Sequence, residues 1–205
     1  MNEDISRFDA AGVDLLKEIG NIGCGNALTA LSQFTSTNFS LTVADIEIVD
    51  YEQLPRKTDD LEKLMAGVAL DVTGDIEGMF MFIGEEPLVN VLLTKLGLCS
   101  SGESLELDEM QRSALSEIGN IIASSYLRAI SDLSGLDIRI SAPSLAIDML
   151  GAILTLPLLR FAASESKIIY IKSNFMIDSH NYSGDLLLIP EMASVDTMMK
   201  KLGVG

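Results

Sequence analysis

A short helical pattern occurs twice along this chain, and an internal repeat restricts the folds open to a sequence more than composition does. Leu16 to Ser32 aligns without gaps with Leu115 to Ser131, and both copies contain the stretch Glu-Ile-Gly-Asn-Ile. Each copy sets a carboxylate three residues before an amide, Glu18 with Asn21 and Glu117 with Asn120, and places Asp14 or Ser113 one turn earlier. Residues three and four apart share one side of a helix, so each copy gathers its polar groups on one stripe. Apolar residues recur at helical spacing elsewhere, at Leu15, Ile19 and Ile22 and at Leu115, Ile118 and Ile122. The period predicts two long amphipathic helices, over roughly residues 10–35 and 107–133.

Strand signals follow each helix. Phe39, Leu41 and Val43 alternate with polar neighbours, as do Ile46 with Ile48 and Val68 with Leu70 and Val72. Thr73-Gly74-Asp75 supplies turn chemistry before Met79 to Ile83, and Pro87 suits the first turn of a helix that stops near Gly97. The second half repeats the order with Ile138 to Ile140, Ile168 to Ile171, Phe175 to Ile177, Leu186 to Ile189 and a helix from Met192 to Leu202. Gly74-Asp75 is paired with Gly184-Asp185 in this reading, and the halves meet at Cys99 to Glu103. Strands joined by short turns favour antiparallel pairing, and neither half alone has enough core to stand by itself. The expected fold is therefore α+β: a two-layer α/β sandwich with a continuous, mainly antiparallel sheet of about six strands and two long helices packed on it. One domain over residues 1–205 is expected, duplicated about a pseudo-twofold axis, with repeats at about 8–99 and 104–205.

A formal net charge of -16 argues against nucleic acid and anionic membrane surfaces, both of which need clustered Lys and Arg. The longest apolar region, Leu145 to Leu159, is interrupted by Asp148 and Pro157, so no membrane insertion is expected. Asn2, Glu3 and Asp4 do not begin a secretory signal, and two cysteines, Cys24 and Cys99, imply no disulfide framework. A cytoplasmic setting is expected.

With His180 as the only histidine, and that in a polar stretch read as a solvated loop, the sequence has little material for His-dependent nucleophilic chemistry or a histidine-rich metal site. No metal site of its own is expected. Gly20, Gly23 and Gly25 follow no strand and spell no phosphate loop; close helix packing or room for a partner is their reading. A single Glu–Asn pair would be an ordinary solvated helix face. Its duplication favours a functional stripe, because packing protects exposed polar residues least.

The order Asp or Ser, three residues, Glu, two residues, Asn and, twenty-two residues further, Pro resembles the CheC, CheX and FliY family of chemotaxis phosphatases. Ser113, Glu117, Asn120 and Pro143 match it in full; Asp14, Glu18 and Asn21 match its first part, with Ala44 at the proline position. The resemblance implies hydrolysis of the aspartyl phosphate on the response regulator CheY. Asn21 or Asn120 would orient the attacking water and Glu18 or Glu117 would pair with the regulator's active-site lysine, with Mg²⁺ expected in the regulator rather than here. Asp14, Ser113 and Pro143 are read as accessory, Pro143 shaping the turn after Ile140. Family members also bind CheD, the receptor-modifying deamidase. The apolar segment Ser144 to Leu154 is read as a docking helix or a buried connection, with Asp148 as a partner-binding residue. A monomer is expected, since internal symmetry supplies what a homodimer otherwise provides. The competing readings are a non-catalytic adaptor of the chemotaxis or flagellar switch and, more weakly, a hydrolase of small phosphorylated metabolites.

Overall fold

Both helical periods form helices at the expected places. α1 spans Ala10–Thr35 and buries Leu16, Ile19, Cys24, Ala27 and Leu31. The computed structural model describes residues 10–35, 39–50, 53–54, 60–98, 105–161 and 167–203. Three strands and a helix follow: β1 (Phe39–Asp50), β2 (Leu64–Gly74), β3 (Gly78–Glu85) and α2 (Glu86–Lys95). The second long helix, α3 (Glu109–Ser134), starts at a capping box. Asp108 accepts from the Gln111 N–H at 2.8 Å, and the Gln111 side-chain oxygen accepts from the Asp108 N–H at 2.9 Å. It stops at Gly135, whose φ of 70° suits a residue without Cβ. β4 (Ile138–Ile140), β5 (Ser144–Met149), α4 (Leu150–Phe161), β6 (Lys167–Ile177), β7 (His180–Pro190) and α5 (Met192–Lys201) complete the order. The expected junction at Cys99 to Glu103 lies outside the described residues.

One antiparallel sheet runs through both halves of the chain in the order β1-β6-β7-β3-β2-β4, with β5 also paired to β2. The seven strands occupy six positions, because β4 and β5 lie end to end against β2. At that break Val72 pairs with Ile140 but Ala69 with Ser144, so one extra residue sits on the edge strand, next to Pro143. β1 slips register between Val43 and Asp45, at Ala44. The same bulge thus occurs at the matching place on both sheet edges, and a proline, which lacks an N–H, is tolerated there.

Strand alternation sorts side chains to two faces. Val68, Leu70, Phe80, Phe82, Ile171 and Leu186 meet α1, α2, α3 and α5 in the larger core. Met65, Ala69, Met81, Ile83, Tyr170 and Leu187 turn to the other face, where Leu150, Ile153 and Leu154 of α4 cover part of them. The two-layer sandwich therefore carries a partial third layer that the sequence reading did not include. Ser144 to Leu154 is likewise corrected from a single helix: its first six residues are β5 and the helix begins at Leu150. The loop expected around His180 is a hairpin turn, with Asp178 and Ser179 at φ 49° and 65° and His180 already paired with Ile177. On the central ladder Gly184 pairs with Gly84 of β3.

Glycines let the long helices settle. A Cβ on Gly20 would lie 3.1 Å from both Val43 and Ile46, one on Gly23 2.8 Å from Tyr126 Cα, and one on Gly119 2.5 Å from Val68. Gly25 faces open space, so close packing accounts for two of the three clustered glycines. Beneath this contact lie Cys24, Tyr126 and Ser173, all buried. Burial pushes the Cys24 thiol up to about 11, an effect the nearby Ser173 hydroxyl partly offsets. Tyr126 is raised too, first by burial and then by Cys24.

Gly119→Ala is expected to cost about 1–3 kcal/mol, since its methyl group must displace Val68 in a close-packed core; a denaturant midpoint measures it. The raised Cys24 thiol fixes the sign of a pH effect. The unfolded chain loses this proton first, so stability is complete below pH 9 and falls as pH rises towards about 11. Cys24→Ala should remove about 2 kcal/mol of that alkaline loss, read from melts at pH 7 and pH 10.5.

Candidate functional site

Burying Leu16, Ile19, Gly20, Gly23 and Cys24 leaves α1 with an outer stripe on which Asp14, Glu18 and Asn21 are all exposed. These three line a shallow surface depression together with Lys17 and Ile22. Lys17 Nζ lies 3.9 Å from Asp45 Oδ1 on β1, which ties the flank of the depression to the bulged edge strand. Ile22, assigned by period to the apolar stripe, is 40% exposed and sits beside Asn21 instead. Its apolar surface adjoins the polar groups.

On α3, burial of Leu115, Ile118, Gly119, Ile122 and Ala123 turns Ser113 and Glu117 outward, with Asn120 half-buried. Asn120 Nδ2 donates to Glu117 Oε2 at 3.4 Å, and Ser124 Oγ donates to the Asn120 carbonyl at 2.6 Å. The second amide is thus held against its carboxylate, whereas no hydrogen bond constrains the Asn21 side chain among the described residues. Pro143 lies in the bulge between β4 and β5, on the sheet edge rather than on the helix.

The structure brings Asp14, Glu18 and Asn21 together, and Ser113, Glu117 and Asn120 together. It sets Asp148 apart. Leu145 and Ile147 point to the helix-covered face, so Asp148 faces the opposite side of the sheet. There it is exposed, accepts from its neighbour Met149 N–H at 2.8 Å, and lines a recess of about 190 Å³ with Gly67, Ala69, Met81, Ala146, Ile153 and Leu156. Met149, Leu156 and Leu159 are large exposed apolar residues on the same segment, Leu159 at 83%.

The sequence reading missed Lys17 and Ile22 as lining residues. A helical wheel holds the signal for Lys17, one position before Glu18, but Ile22 looks like core until the tilt of α1 is known. Neither depression encloses a substrate. A Glu–Asn pair on a convex helix offers hydrogen bonds and charge but no nucleophile paired with a base, so it suits a macromolecular partner that carries its own reactive groups. Among the described residues no three His, Cys, Asp or Glu side chains are placed to hold a metal ion, and no described helix is long and apolar enough to cross a membrane.

With this geometry in hand, similarity to known proteins falls on the same segments. The CheC-like family matches residues 13–43 and 110–147, which hold both helix stripes and the bulge at Pro143. The CheY-P phosphatase CheC of Bacillus subtilis (strain 168) is 27% identical over 199 residues, covering 94% of either chain. The crystal structure of Thermotoga maritima FliY superposes with a TM-score of 0.75 at 22% identity, over 95% of this chain and 97% of that one. A chain of the Helicobacter pylori FliM–SpeE complex follows at 0.70 and 10% identity, over 95% and 96%. These structural likenesses are of fold.

Proposed function

We propose that the chain is a member of the CheC-like family and that it hydrolyses the aspartyl phosphate of the response regulator CheY. The observation that carries this reading is the outward Glu–Asn pair on each of two packed helices, on stripes that pair no nucleophile with a base. An acyl phosphate is already activated. What remains is to place a water in line with the phosphorus and to exclude unproductive geometries. The amide of Asn21 or Asn120 has both a donor and an acceptor for that task, and it reaches outward from a rigid helix. Glu18 or Glu117 pairs with the regulator's lysine and fixes the docking register, while the regulator supplies Mg²⁺. Asp14, Ser113 and Pro143 act as supports. The reading includes a cytoplasmic monomer made of two copies of one unit.

A second surface accompanies the first. We assign CheD binding to the far face around Asp148, where Met149, Leu156 and Leu159 expose apolar area beside a single acid. Apolar anchors with one charge at the rim give affinity and register together. The adaptor reading shares the fold with switch components such as FliM but leaves the paired Glu and Asn without a task.

Replacing both Asn21 and Asn120 by Ala is expected to abolish accelerated phosphate release from phosphorylated CheY while leaving the thermal melt nearly unchanged, because Asn21 is exposed and the half-buried Asn120 makes only a long side-chain bond, 3.4 Å to Glu117. Full activity in the double variant would refute water positioning by these two amides. Asp148→Lys should weaken CheD binding at least tenfold in a titration without changing phosphate release, since it lies across the sheet from both stripes.

A further inference from the structure

We infer that the two Glu–Asn sites exclude one another, so that one chain engages a single phosphorylated regulator at a time. This rests on the phosphatase reading and adds how its two sites are used. Every neighbouring pair in the sheet is antiparallel, so the edge strands β1 and β5 run in opposite directions. Each long helix returns onto its edge strand through a three-residue connection, which makes α1 and α3 antiparallel to one another. Gly23 marks where they touch: a Cβ there would lie 2.8 Å from Tyr126 Cα.

At 1.5 Å per residue, Asn21 lies about 3 Å from the level of that contact in one direction and Asn120 about 9 Å in the other. An interaxial distance of about 8–10 Å then puts the two positions roughly 15 Å apart. Both stripes open on the same layer of the molecule, away from the sheet. A specific protein interface of standard size covers about 800 Å² on each partner, a disc of roughly 16 Å radius. Centred on either Asn, such a footprint reaches the other. A folded domain of about 100–150 residues is itself roughly 35 Å across, more than twice the spacing of the sites. The duplicated stripe therefore offers two alternative landing orientations, not two simultaneous seats. The second site doubles the productive encounters and leaves the number of bound regulators at one.

The test uses the full chain with CheY held in its phosphorylated form by beryllofluoride. Sedimentation velocity with excess regulator is expected to show one CheY per chain for the wild type and for each of Glu18→Arg and Glu117→Arg. At saturating phosphorylated CheY, the turnover of the wild type is expected to lie between those of the two single-site variants. A complex with two regulators, or a wild-type turnover equal to the sum of the two variants, would overturn mutual exclusion and leave the phosphatase reading standing. No complex and no accelerated phosphate release in any form would overturn the phosphatase reading, and this inference with it.

Discussion

The close approach of the two long helices to each other and to the sheet sets everything else in this molecule. Three positions without a Cβ permit it: Gly20 under β1, Gly119 under β2 and Gly23 against Tyr126. Tyr126 is the large partner of a small residue. In the aligned copies Gly23 corresponds to Ile122 and Ala27 to Tyr126, so α1 brings two small residues to these positions and α3 two large ones. The complementarity keeps the interface filled, which a close-packed core requires. With one side of each helix committed to this contact, the side that remains is the polar stripe. Its direction follows from the packing, and so does the spacing between its two copies.

The bulged edge strands show how one backbone feature can have two sequence solutions. Pro143 marks it in the second half because proline has no N–H to lose from the ladder. Ala44 stands at the matching place, where β1 slips register in the same way. Its absence of a ring therefore says little about the scaffold of the first stripe. The stripes differ elsewhere: Asn120 is held by Glu117, and Lys17 flanks the first stripe where Ser116 stands in the second.

Much of the helical layer was legible in the residues, because a period of 3.6 sustained over twenty-six residues leaves few alternatives. The central strands were legible for a similar reason. Less could be read where apolar residues run together without a period. Leu145 to Leu159 is such a run, and only pairing with β2 decides that Ser144–Met149 is a strand and Leu150–Phe161 a helix. Likewise Glu18, Asn21, Glu117 and Asn120 stood out as a duplicated stripe. The exposure of Ile22 and the placement of Asp148 on the opposite face depend on helix tilt and strand parity, which no single segment encodes.

That opposite face is where the two halves part company, and small residues again decide it. Ladder position matches Gly67 with Tyr170 and Ala69 with Lys172, since Gly67 pairs with Ala146 on its edge strand as Tyr170 does with Glu47. Around β6 the face is filled by the Tyr170 ring with Lys172 Nζ 5.8 Å from its centre. Around β2 it is nearly bare, and a Cβ on Gly67 would lie 2.8 Å from Ile153. Only the bare side admits α4, which the Arg160–Asp71 ion pair also ties to β2. An aromatic residue at position 67 would deny α4 its seat, and the recess beside Asp148 would go with it. The helix face keeps two matched stripes while the far face has one recess, so the stripes and the recess beside Asp148 lie on opposite sides of the sheet.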